Sequence, residues 1–188
     1  MSDILDQRTV NPDSVSPRPT AIRYGLIGGL AMVILNLVFY LSEMLDLSKA
    51  SFLSLPNLTN YVLMIAVVVL ALRYHRDQEL GGYLPFTRCL GMGWWLGLTM
   101  GIVGAIWAYI FFQFIAPDLV ETIREMQIEQ MQDQGLSEEQ IEQSEKYMAM
   151  FTSPGAMAIL SIFGNVLMTI IIALFAGLFM KKDPPSSV

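Results

Sequence analysis

Charged side chains are absent from four long stretches of this chain, and within each stretch the residues are apolar on every face of a helix. The stretches cover residues 24–42, the segment between Lys49 and Arg73, residues 89–117, and the segment from Pro154-Gly155 to Lys181-Lys182. At about 1.5 Å per residue each reaches across roughly 30 Å of hydrocarbon. Strands of a membrane barrel would alternate apolar and polar residues over about 10 positions, and these do not. The pattern predicts an all-α, polytopic membrane protein, a bundle of four transmembrane helices at about residues 23–42, 57–73, 90–116 and 156–180. The third uncharged block is long enough, at roughly 40 Å, to require tilt or an extension beyond the hydrocarbon. Residues 1–21 are polar and proline-bearing, without a period, and read as a mobile tail, with a second short tail at 183–188. The apolar block begins late and is preceded by Asp3, Asp6 and Asp13, so it is read as a retained span rather than a signal peptide.

Between the third and fourth blocks lies a different pattern. In residues 117–154, at about 100° per residue, Leu119, Val120, Ile123, Met126 and Met131 share one side of a helix. Asp118, Glu121, Glu125, Glu129 and Asp133 take the other, and only Ile128 is out of place. Gly135 should break this helix, and Ser137-Glu-Glu-Gln140 has the spacing of a capping box that starts another. Ile141, Tyr147, Met148, Met150 and Phe151 then face one way. The segment is predicted to be an amphipathic acidic helical hairpin between spans three and four, jointed at Pro117 and Pro154-Gly155.

Charge adds orientation. Arg8, Arg18 and Arg23, then Arg73, Arg76 and Arg88, then Lys181 and Lys182 fall on one side of four alternating helices, while Lys49, Arg124 and Lys146 fall on the other. Cytoplasmic loops carry the excess of Lys and Arg, so both chain ends are expected in the cytoplasm and the hairpin outside. Tyr24, Tyr74, Trp94 and Trp95 would line the inner interface, and Tyr40, Trp107 and Tyr109 the outer. Composition agrees: 54% of the 188 residues are hydrophobic and 15% charged, with a mean hydropathy of +0.50. A net charge of -6 without basic clusters argues against nucleic acid as a partner.

Candidate chemistry is sparse. Cys89 has no partner cysteine, His75 stands alone between arginines and is read as a solvated loop residue, and no cluster of ligands suggests a metal or a cofactor. No ionisable residue lies within the four blocks, so the usual mark of a pump or proton relay is lacking. Asn36 and Asn165, near mid-span, are expected to bond between helices. Gly93, Gly97, Gly101 and Gly104 on the third helix, and Gly25 and Gly29 on the first, are spaced to let backbones approach closely. The hairpin admits three readings: a solvated acidic surface over a packed apolar seam, a surface for a partner, or a cation-binding ridge at Asp118, Glu121, Glu125 and Glu129. The candidate interaction surface is Glu121, Glu125, Glu129, Ile141, Tyr147 and Met148.

Arg73-x-x-Arg76-Asp77, Gly81-Gly82, Phe86 and the glycine-rich third span occur in that order. They are followed by the exit Ala116-Pro117-Asp118, a Met- and Gln-rich acidic insert, and Phe151-Thr152-Ser153-Pro154-Gly155 before the last span. Over about residues 23–182 this resembles the domain-of-unknown-function 4199 family of bacterial membrane proteins. The resemblance implies a four-helix inner-membrane protein and brings no activity or catalytic residues. The expectation is a non-enzymatic interaction or assembly module of the bacterial inner membrane. Its partners would be the lipid bilayer and a membrane or periplasmic protein, or a second copy in a homo-oligomer. The alternative is a component of an oligomeric channel or transporter.

Overall fold

The structure, a computed structural model, describes residues 15–42 and 54–182. Among these residues the chain is all-helical, with α1 (Arg18–Leu41), α2 (Leu55–Tyr74), α3 (Phe86–Ile110), α4 (Asp118–Asp133), α5 (Glu138–Phe151) and α6 (Pro154–Met180). A π-helical turn at His75–Glu79 prolongs α2, and another at Phe111–Ile115 prolongs α3. With those turns, four helices of 24, 25, 30 and 27 residues are long and apolar enough to cross a membrane.

The ends of these helices differ from the boundaries set by charge alone. Pro19 sits in the first turn of α1, where a missing N–H costs nothing. The helix therefore starts at Arg18, within the stretch read as a mobile tail, and buries Thr20 and Ala21. The rest of that tail up to residue 14, and the tail at 183–188, lie outside the described residues. Past Arg73, α2 continues to Glu79 because His75 turns inward and Leu80 follows it into the core. Gly81 and Gly82, at φ 62° and 92°, then reverse the chain in a region of backbone space that glycine occupies freely. Pro154, expected at a joint, opens α6 directly after the two-residue link from α5, with Ser153 Oγ accepting from the Ala156 N–H at 3.3 Å.

Neighbouring contacts set the helix directions. Gly25 lies against Thr99, and Gly29 against Val103, so α1 and α3 run parallel. Gly93 meets Ala173, Gly97 meets Val166 and Thr169, and Gly101 meets Ile162, so α3 and α6 are antiparallel. Tyr24 stacks near Tyr74 and Gly28 meets Val67, so α1 and α2 are antiparallel too. The four long helices thus run up, down, up, down. One end of the bundle holds the start of α1 and the close of α6; the other carries the α4–α5 hairpin. The α3–α6 seam is the most extensive contact, followed by α1–α3.

The hairpin is ordered by local chemistry. Gly135 adopts φ 76° after α4. Ser137 accepts from the Gln140 backbone N–H at 3.4 Å, and the Gln140 side chain accepts from the Ser137 N–H at 3.0 Å, closing a capping box. Arg124 Nη2 reaches Glu145 Oε1 at 3.3 Å across the pair.

Candidate functional site

The two ends of the bundle are built differently. At the end away from the hairpin the core is solid: Val68, Leu72, Leu80, Leu84, Cys89, Met92 and Leu96 are fully enclosed. His75 is enclosed with them, which overturns its reading as a solvated loop residue. Its Nδ1 is bonded to Glu79 Oε2 one turn on, and Glu79 Oε1 accepts from the Thr20 hydroxyl at 2.6 Å. An imidazole with that partner can stay inside an apolar core, and the chain of bonds ties the first turn of α1 to the last turn of α2. His75 Nε2 has no partner. Close by, the backbones of Leu84 and Lys182 exchange two hydrogen bonds, at 2.8 and 3.2 Å, fastening the end of α6 to the approach to α3.

At the hairpin end the helices leave an open pocket. A cavity of about 330 Å³ lies among α1, α2, α3 and α6. Asn36, Asn60, Tyr61, Ser161, Asn165 and Trp107 supply its polar lining, and Met32, Met64, Met100 and Met168 much of its apolar lining. The glycine seam explains where it begins. At Gly93, Gly97 and Gly101 an added Cβ would stand 2.7, 2.1 and 2.9 Å from atoms of α6. At Gly104 the nearest atom is Asn165 Nδ2, at 3.7 Å, and around Gly164 there is nothing within 4 Å. The helices therefore diverge from Gly101 onward. Asn36 bonds between helices, accepting from Trp107 Nε1 at 3.0 Å. Asn165 does not: its Nδ2 donates to Ser161 O in its own helix, and its Oδ1 is buried without a partner.

Above the cavity stands the hairpin. Glu121, Glu125 and Glu129 are exposed along α4, and Ile128, read as misplaced, lies half-buried with Ile123 and Met126. Of the apolar positions read as one face of α5, Ile141 is buried and Met148 half-buried, whereas Tyr147, Met150 and Phe151 are 63, 65 and 55% exposed. Lys146 pairs with Glu142 and Arg124 with Glu145, so both hairpin bases are engaged internally. Among the described residues no three His, Cys, Asp or Glu side chains are grouped to hold a metal ion, and the acidic ridge of α4 forms no such group.

The model of the family described as protein of unknown function (DUF4199) matches residues 23–182. The chain belongs to this family. No curated protein and no solved structure matches it. The DUF4199 match covers the four long helices, apart from the first turn of α1, together with the hairpin, so the cavity and the acidic insert lie within the family's own extent and Thr20 lies outside it.

Some of these residues were legible in advance and some were not. Gly28, which meets Val67 and the Met100 side chain, and Gly177, which meets Cys89 at 3.0 Å, extend the small-residue contacts beyond the positions at four-residue spacing. The His75–Glu79 pair was visible as an i, i+4 spacing, but only if the helix is carried past three charges.

Proposed function

We propose that this chain is a non-enzymatic interaction module of the bacterial inner membrane, recognising a partner protein at its hairpin end. The four long helices span the bilayer, both chain ends face the cytoplasm, and the hairpin lies outside. The split of basic residues, eight to three, supports that orientation. The observation that carries the reading is the α5 surface: Tyr147, Met150 and Phe151 are exposed on a hairpin whose only two bases are already paired with its own glutamates. Such a face, apolar and rimmed by uncompensated carboxylates, fits a partner with an apolar patch rimmed by Lys and Arg.

A photo-crosslinking residue at Tyr147, used in native membranes, tests this. The expected outcome is one dominant adduct that is lost at high salt and in the triple variant Glu121→Gln, Glu125→Gln, Glu129→Gln. An adduct pattern indifferent to both, or dominated by lipid, would remove the reading. The channel or transporter alternative must route its path between copies of the chain, because the solid end leaves no space along the axis of one bundle.

A further inference from the structure

We infer that the cavity at the hairpin end is a binding site for an uncharged lipid with a hydroxylated head. This goes beyond the hairpin's partner. It rests on the bilayer placement proposed above, which labelling of an exposed hairpin cysteine checks separately.

The lining defines the ligand. Three carboxamides, from Asn36 on α1, Asn60 on α2 and Asn165 on α6, line the space with the Ser161 hydroxyl and Trp107. No Asp, Glu, Lys, Arg or His lines it, so a charged head group would enter a low-dielectric site without a counter-charge. Asn60, which also lines the space, presents a carboxamide oxygen to which an O–H or N–H on the occupant can donate, whereas Asn165 Oδ1 is closed off from the open space. The Asn36 oxygen is used by Trp107, which leaves the Asn36 Nδ2 as a donor that an ester or hydroxyl oxygen can accept from. A neutral group with both a hydroxyl and an acceptor complements the Asn36 and Asn60 amides that line the space. The four methionines offer a deformable apolar lining for the body of the molecule.

A second feature points to the bilayer as the source. Along the same stretch of the α1–α2 pair, an apolar groove is lined by Ala31, Ile34, Leu35, Val38, Val62 and Leu63. Asn36 and Asn60 stand one residue from Leu35 and Thr59 of that groove, on the side facing the cavity. A head held by the amides leaves an acyl chain within reach of this groove. At about 330 Å³ the cavity sits at the lower end of ordinary ligand sites, roughly 300–1,000 Å³, which suits a head group rather than a whole lipid.

The test uses full-length protein in nanodiscs with a photoactivatable diacylglycerol carrying its diazirine near the glycerol, and a photoactivatable fatty acid as the charged comparison. The expected result is adducts on the α1 and α6 peptides containing Asn36 and Asn165, at least tenfold above those from the fatty acid. Asn165→Leu should lower them at least tenfold. Gly164→Leu should do the same by filling the space, and it keeps the test valid if Asn165→Leu fails to fold. Diacylglycerol adducts spread evenly over the outer helix faces would overturn the inference. So would equal labelling by the fatty acid, or labelling unchanged in a folded Gly164→Leu variant.

Discussion

Replacing Gly97 with alanine probes the tightest glycine contact among the described residues. The new Cβ would lie 2.1 Å from Thr169 Oγ1, 2.6 Å from Val166 Cα and 3.0 Å from Asn165 O. Rotating Thr169 could clear the first contact, at the loss of its bond to Asn165 O at 2.7 Å. No rotation clears the second, because Val166 Cα is backbone. Carbon atoms settle at about 3.5–4.0 Å, so α6 must retreat by roughly 1 Å. The same retreat opens the contacts of Gly93 with Ala173 and of Gly101 with Ile162, and a gap of 0.5–1 Å forfeits about a quarter to a half of each dispersion well. Overpacking of this kind costs about 1–3 kcal/mol. Alanine gains about 1 kcal/mol over glycine as a helix former, which would mask part of that cost.

Gly164→Ala removes the ambiguity. It makes the same chemical change on α6 where the new Cβ meets nothing within 4 Å, and so reads the propensity gain together with the small gain of a methyl entering the open space. With both proteins purified in mild detergent and titrated with SDS, tryptophan fluorescence should place Gly97→Ala below Gly164→Ala by about 1–3 kcal/mol. Gly97→Leu should fall further still. Identical unfolding midpoints for the two alanine variants would refute the packing argument for the whole seam.

Two further outcomes are expected. Thr20→Val keeps the shape but removes the hydroxyl that donates to Glu79 at 2.6 Å. A bond to a carboxylate is worth about 1.5–3 kcal/mol, and since Glu79 is part exposed a loss of about 1 kcal/mol is expected in the same SDS titration, with hydrogen exchange rising at the start of α1; no change in either would mean the bond carries nothing. Cysteines placed singly at Gln78 and Gln134, both exposed, should differ towards an impermeant thiol reagent in intact cells, Gln134→Cys reacting and Gln78→Cys not, while native Cys89 stays silent because it is fully enclosed; the reverse pattern would invert the proposed orientation.

Periodicity and charge were enough to locate the four long helices, because an uncharged run of 20 residues has few other uses. They misjudged ends, since a charge boundary marks where water becomes tolerable, not where hydrogen bonding stops. Arg18 and Glu79 both extend helices past that boundary. The capping box at Ser137 and the turn at Gly135 were legible because their chemistry is local. His75 was not: whether an imidazole is solvated or enclosed depends on how the loop after it folds back and on α1, which is far from it in sequence. The cavity was hidden for a similar reason. Asn36, Asn60 and Asn165 are separated by 24 and 105 residues along the chain, and only the divergence of α3 from α6 beyond Gly101 brings them around one space.

That divergence separates stability from recognition along the bundle axis. A lining left without partner atoms forfeits dispersion contacts, so an occupant of this space, about 330 Å³, would add contacts that the helices alone do not make. The close seam at Gly93, Gly97 and Gly101 and the enclosed core around His75 hold the helices together at one end, while the space lies at the other. Water alone is a poor filling, because each buried water needs two to four polar partners and most of the lining is methionine, valine and glycine. An occupant with a small polar part and an apolar body satisfies both the amides and the methionines. The hairpin begins just beyond this space, at Pro117 after α3 and before Pro154 of α6. Filling the cavity therefore bears on the same two helices that carry the acidic surface.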